Sequence, residues 1–272
     1  MTVLATLQTV ITPDVRENGL HLRAAITRAV LGGARIVHAP EGALSGYIVS
    51  EVAAWDRVDW RALRRELRAT AVLAERLGVW VVLGANHRLR APRWPHNSLY
   101  VISDTGELAG RYDKRLCSNS ETTYWYTPGV APLVFEVDGI RFGCTLCIEV
   151  VFPHLFAEYE RLGVQCILLS SYSADPVHGV MARAHAATNC MWVSLATPVA
   201  CSRGLPTMVF GPDGHAAGAC VADSPGMLLT CLDLQSKRYR VALQWARPWR
   251  ARARDVCAGR GGAGFGGVSR GE

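Results

Sequence analysis

Apolar and polar positions along this 272-residue chain alternate with a two-residue period in some stretches and a three-to-four-residue period in others. That predicts strands interleaved with helices. Val3–Ile11 predicts a first strand. Thr12-Pro13-Asp14 supplies a cap and a first-turn proline, and Val15, Leu22, Ile26 and Val30 then share one face of a helix stopping at Gly32-Gly33. Ala34–His38 predicts a short buried strand that ends at Ala39-Pro40-Glu41. Asp59 caps a second helix ending near Gly78, and the strand Val79–Ala85 follows it.

The middle of the chain changes character. Asn97–Ile102 and Glu107–Tyr112 flank Ser103-Asp104-Thr105-Gly106, and Leu133–Val137 and Ile140–Leu146 flank Asp138-Gly139. Both patterns predict hairpins. Strand–helix alternation then resumes. Phe152–Leu162 is helical with Gly163 as its stop, Cys166–Ser170 is a strand, Pro176 opens a helix to about Asn189, and Trp192–Ala196 is the next strand. A last hairpin turns at Gly211-Pro212-Asp213-Gly214. Hairpins mixed with strand–helix–strand units predict a layered α/β fold whose sheet is partly antiparallel. Residues 1–246 read as one domain, and the Arg/Gly-rich stretch 247–272 reads as a tail, mobile from Gly259 onward.

Composition narrows the class. Half of the residues are hydrophobic, enough for one sizeable core. No apolar stretch reaches the roughly 18 residues of a membrane helix, and the start of the chain reads as a strand rather than a signal peptide. The net charge of +6 invites a nucleic-acid reading, but much of the excess lies in Arg247, Arg250, Arg252, Arg254, Arg260 and Arg270. A solvated tail explains it without a nucleic-acid or membrane partner. Nine cysteines without a secretory leader point to reduced thiols in a cytoplasm.

Three reactive side chains fall at predicted element ends. Glu41 follows the strand Ala34–His38, Lys114 follows the hairpin strand ending in Tyr112-Asp113, and Cys147 closes Ile140–Leu146. Together they make a coherent acyl-transfer set. A free thiol has a pKa of about 8.5 and attacks only as thiolate. A buried carboxylate gains basicity and can take its proton. An ammonium nearby favours the thiolate and stabilises the oxyanion formed on attack.

The motifs around these residues resemble the carbon–nitrogen hydrolase (nitrilase) superfamily. They read Pro40-Glu41-Gly42-Ala43-Leu44-Ser45-Gly46-Tyr47, then Gly110-Arg111-Tyr112-Asp113-Lys114, then Cys147-Ile148-Glu149-Val150-Val151-Phe152-Pro153. Glu121, ahead of Thr127-Pro128-Gly129, looks like a further family carboxylate that supports the lysine. The resemblance implies a four-layer α-β-β-α sandwich with mixed sheets, assembled as a homodimer or larger homo-oligomer. It also implies a thioester intermediate resolved by water, with no metal and no organic cofactor. Tyr47, Glu149 and Tyr172 are the candidate substrate contacts. Ile148 departs from the Tyr common in amidases and the Trp of nitrile-cleaving members. Glu149 ahead of Phe152-Pro153 is similar to the lipoprotein N-acyltransferase branch, whose membrane helices this chain lacks. Ser171–Pro176 matches no substrate subgroup.

The expected activity is hydrolysis of a small amide, with an N-carbamoyl (ureido) substrate as the alternative and a catalytically silent scaffold as the rival of another class. Other readings of the same residues are weaker. Cys144-Thr145-Leu146-Cys147 is formally C-x-x-C, but it lies on a strand and has no second pair to complete a zinc site. His154 and His185 are alternative bases for Cys147. Tyr124-Trp125-Tyr126 reads as a buried aromatic cluster before a pocket wall.

Overall fold

The computed structural model describes residues 1–259. In chain order its first half contains β1 (Thr2–Gln8), α1 (Val15–Leu31), β2 (Ile36–His38), α2 (Trp60–Leu77), β3 (Trp80–His87), β4 (His96–Ile102), β5 (Leu108–Asp113) and the short α3 (Asn119–Tyr124). The second half contains β6 (Val134–Val137), β7 (Ile140–Leu146), α4 (Pro153–Arg161), β8 (Cys166–Ser170), α5 (Pro176–Asn189), β9 (Trp192–Ala196), β10 (Met208–Phe210) and β11 (Ala216–Ala219). Then come β12 (Gly226–Leu232), a π-helical turn Val241–Ala246 and α6 (Arg247–Gly259).

The strands form two six-stranded sheets, ordered β12-β1-β2-β3-β4-β5 and β11-β10-β9-β8-β7-β6. Strands joined through a helix pair in parallel, as in β1-β2-β3 and β7-β8-β9, and hairpin-connected strands add antiparallel at the edges. Side-chain alternation then separates three apolar layers. Ala5, Val37, Val81 and Leu83 pack with Leu22, Ile26 and Leu73 of α1 and α2. Leu4, Ile36 and Val82 of the first sheet meet Phe142, Leu168 and Trp192 of the second. Ile167, Leu169 and Val193 pack with Phe156 and Ala182 of α4 and α5. This is the expected four-layer α-β-β-α sandwich.

Several details differ from the sequence reading. β1 ends at Gln8 rather than Ile11, because buried Gln8 turns its amide to the carbonyls of Val221 and Ser224 at 2.7 and 2.8 Å. The N-cap of α1 is Asp14, whose carboxylate accepts from Arg16 N, so Pro13 precedes the helix instead of opening it. α2 agrees at both ends: Asp59 caps the amides of Arg61 and Ala62, and Gly78 stops it with a left-handed φ of 62°.

The tail boundary is also corrected. Arg247–Gly259 is helical rather than a tail, because partners from α4 and the segment after it hold its arginines. Arg250 pairs with Glu160 at 3.3 Å, Arg254 pairs with the same carboxylate, and Arg247 donates to Val164 O at 2.7 Å. Residues 260–272 of the expected mobile tail lie outside the described residues. No described helix is long and apolar enough to cross a membrane.

Candidate active site

β2 delivers Glu41 three residues beyond its end, in a turn that β3 supports from behind. Ala39 N donates to Val82 O and Leu44 N to Gly84 O. A side chain on Gly84 would bring its Cβ to 2.4 Å from Pro40 O, so only glycine lets β3 lie this close beneath the turn. Glu41 is fully buried, yet both oxygens are satisfied. Oε1 accepts from Asn97 Nδ2 at 2.6 Å and Lys114 Nζ at 3.2 Å, and Oε2 accepts from Tyr172 N at 2.8 Å. Burial raises its pKa, Lys114 and Asn97 pull it down and Glu121 pushes it up, so the net direction is upward.

Lys114 leaves the end of β5 with its backbone clamped on both sides: its N–H donates to Asn97 O, and its carbonyl accepts from Gly129 N, each at 2.8 Å. Its ammonium, 1% exposed, spans Glu41 and Glu121, with Glu121 Oε1 at 2.8 Å. Burial alone would lower this lysine's pKa, but Glu41, the Cys147 thiolate form and Glu121 outweigh it and hold the group well above its ordinary value. Glu121 belongs to α3, where Ser118 and Glu121 form a reciprocal capping box. Burial would raise its pKa, but Lys114 and the Ser118 amide lower it overall. The Ser-x-x-Glu spacing that builds this helix was readable in the sequence but was not used to predict it.

Cys147 begins a 3-10 turn, Cys147–Val151, with φ at 46°, a left-handed conformation that costs a side-chain-bearing residue on the order of 1–2 kcal/mol. Glu149 holds the turn. Its carboxylate accepts from Leu146 N at 2.7 Å, Arg115 N at 2.8 Å, Leu116 N at 3.0 Å and Tyr112 Oη at 2.8 Å. Glu149, expected as a substrate contact, thus has its carboxylate engaged by protein donors. Protein donors surround the carboxylate behind the site, where it ties the Cys147 turn to the segment following Lys114.

Burial and Glu41 push the Cys147 thiol up to about 12, while Lys114, the Ser171 hydroxyl and the Tyr172 amide act in the opposite sense. Glu41, Lys114 and Cys147 thus share one electrostatic environment although 106 positions separate the first from the last.

Tyr47 and Tyr172 come together as stacked rings, 4.6 Å between centroids and 11° from parallel. Tyr47 Oη donates to Glu121 Oε1 at 3.2 Å. Glu51 pins the pair, accepting from Tyr47 N at 2.9 Å and Tyr172 Oη at 2.6 Å. Glu51, Asn97 and Ser171 were not singled out in the sequence; a polar Asn opening an apolar strand was the one available signal. His185 is not a base for Cys147: its ring stacks on Phe156 at 3.7 Å, and Nε2 meets Val150 O at 2.8 Å. His154 stands edge-on to Phe152. Cys144 points into the layer between the sheets, away from Cys147. Tyr126 is buried and donates to Asn86 Oδ1, whereas Tyr124 is 66% exposed, so the aromatic run is only partly core. A cavity of about 450 Å³ lies beside Glu51 and includes none of Glu41, Lys114 or Cys147 in its lining.

Known proteins resemble this chain to different extents. An amidase from Nesterenkonia sp. superposes with a TM-score of 0.76 at 23% identity, covering 93% of this chain and 99% of its own. A mutant of that amidase with acrylamide added at its active-site cysteine gives 0.74 at 24% identity, over 93% and 99%. At these identities the likeness concerns the fold. A hydrolase of Mycobacterium tuberculosis is 35% identical over 98 residues, a match that spans 31% of this chain and only 35% of the relative. A model of the carbon–nitrogen hydrolase family matches residues 3–239, from β1 past β12 and through Glu41, Lys114 and Cys147, and the chain therefore belongs to the carbon–nitrogen hydrolase family.

Proposed function

We propose that this protein hydrolyses small amides through a thioester on Cys147. The observation that carries the reading is the buried Lys114 ammonium held between Glu41 and Glu121 and acting on the same thiol as Glu41. An ammonium has three protons. Two are directed at carboxylates, which leaves the third for an oxyanion.

The steps follow from the groups present. With its pKa pushed up to about 12, the Cys147 thiol rests protonated and needs a base. Glu41, ionised and basic for a carboxylate, takes that proton as sulfur attacks the acyl carbon. Lys114 stabilises the negative oxygen of the tetrahedral state, a contribution of roughly 3 kcal/mol for one such donor. Glu41 passes the proton to the departing nitrogen, which leaves as ammonia or an amine. Water, deprotonated by Glu41, then cleaves the thioester and frees the acid. Glu121 keeps Lys114 in position, and Tyr47 and Tyr172 form the wall against the acyl group.

The alternative N-carbamoyl substrate is less well supported when it carries its own carboxylate. The charges that act most on Cys147 are Glu41 and Lys114, and Lys114 already faces two carboxylates. Arg115 next to it is held by Glu158 at 2.8 Å. A second anion would have to draw on the remaining Arg115 nitrogen, Nη2, which is buried and has no hydrogen-bond partner among the described residues.

Intact mass spectrometry of Glu41→Gln after incubation with neutral amides and ureido acids tests the reading. An adduct of acyl mass on Cys147 from an amide is the expected result. Carbon dioxide release from a ureido acid by the wild type would overturn the amide assignment, and a Cys147 no more alkylatable than the other thiols would favour a silent scaffold. Homo-oligomeric assembly belongs to the same proposal and is read by light scattering.

A further inference from the structure

Away from the catalytic residues, α2 carries Arg61, Arg64, Arg65 and Arg68 on one exposed face. These positions are three, four and seven residues apart, so like charges neighbour each other along the helix, which is destabilising. Arg61 lies in the first turn, where the macrodipole disfavours cations and where no acidic residue is found. The nearest carboxylates are already engaged: Asp59 pairs with Arg16 at 2.8 Å and Glu66 with Arg23 at 2.6 Å. Local structure therefore gives no reason for this concentration of positive charge.

A cavity of about 330 Å³ opens beside it. Trp60, Leu63, Leu67 and Tyr100 make its apolar lining, and Arg64, Arg88 and Arg90 contribute its charges. The Arg88 guanidinium lies over the Trp60 ring, 5.7 Å from its centroid, so a cation is fixed directly above an aromatic surface. Arg64 also lines an adjoining depression of about 290 Å³ bounded by Arg61, Arg65 and Arg68. An apolar hollow of ligand size thus runs into a channel of guanidinium forks, groups suited to phosphate oxygens.

We propose that this face binds a small polyanion that joins a flat ring to two or more phosphate groups, the chemistry of a nucleoside diphosphate. The ring enters the hollow bounded by Trp60 and Tyr100, and the phosphates lie along Arg64, Arg68 and Arg88. This site is independent of Cys147.

Isothermal titration with ADP, with pyrophosphate and with a single-stranded RNA oligonucleotide tests the proposal on the full chain. ADP is expected to bind, to bind about tenfold or more tighter than pyrophosphate, and to weaken with added salt. Arg64→Glu and Arg88→Glu are each expected to reduce ADP affinity about tenfold or more while amide hydrolysis and the circular dichroism spectrum stay unchanged. Arg203→Glu, at a remote exposed arginine paired with Asp223, serves as the control for net charge. Absence of ADP binding, equal affinity for pyrophosphate, an equal loss in Arg203→Glu, or RNA binding tighter than ADP would each overturn it.

Discussion

Glu149 shows how a carboxylate two residues from the candidate nucleophile can be taken up by protein donors. Its oxygens face Tyr112, Arg115, Leu116 and Leu146, and burial raises its pKa although those donors oppose the rise. Glu149→Gln turns an amide toward backbone N–H groups that need an acceptor. The expected cost is about 2–3 kcal/mol of stability, read from the urea midpoint, with a fall in kcat from a displaced Cys147 turn. Glu41 makes a separate prediction. Its raised pKa means that the ionised base is lost as pH falls through a value above the ordinary carboxylate range, so kcat/KM should rise with pH there. The Cys147 thiol at about 12 adds no alkaline limb below that pH. Asn97→Leu removes a donor that lowers the Glu41 pKa, and the acid limb in a pH–rate profile should move upward. Glu41, Lys114 and Cys147 could be picked as candidates from sequence because three reactive types stood at element ends. The partners of Glu149 were not legible, because proximity to Cys147 in sequence does not say which way a carboxylate turns.

At the scale of elements, caps and turn residues were the legible part. Asp59 and Gly78 bound α2 as read, since both signals act within a few residues. α6 and β12 were not legible. β12 is an edge strand without clean alternation, and its partner β1 lies over 200 residues earlier, with Thr2 facing Leu232. The arginines of α6 look like a solvated run until α4 brings Glu160 to them. Glu160→Gln should loosen α6 at a cost of about 1–2 kcal/mol, the low end for a buried carboxylate because its arginines are about a third exposed. Hydrogen exchange would show that loss as faster opening of Arg247–Gly259. In β3, Gly84→Ala forces a Cβ against Pro40 O and Gly42 N. The expected result is a stability loss of about 1–3 kcal/mol and a larger proportional loss of kcat, because the displaced turn carries Glu41.

Across the whole molecule, a polar bridge crosses the apolar layer between the sheets. Ser170 Oγ donates to Ala39 O at 2.8 Å, so it accepts from His38 Nε2. His38 Nδ1 then accepts from Ser194 Oγ, which in turn accepts from Thr6 Oγ1 at 2.7 Å. The bridge joins the strand ahead of Glu41 to the strand ahead of Ser171 and Tyr172. Burial lowers the His38 pKa from 6.5 to about 3, so the neutral ring is the folded form. Protonation favours the unfolded chain, and this contribution is complete above about pH 6.5 and is lost as pH falls toward 3. Stability should therefore drop by up to roughly 4 kcal/mol across that window, and His38→Asn should flatten the dependence in denaturant titrations while lowering stability at neutral pH.

By itself the sequence determined the periodicities, the caps, the layered α/β class and which side chains are candidates for the reaction, because those follow from short-range sterics and residue chemistry. Only the tertiary structure decided that Glu149 faces inward, that α6 is held, that His38 spans two sheets and that Arg64, Arg88 and Arg90 line one hollow. Each of these depends on which distant surface closes over a side chain, and burial and charge act through space rather than along the chain.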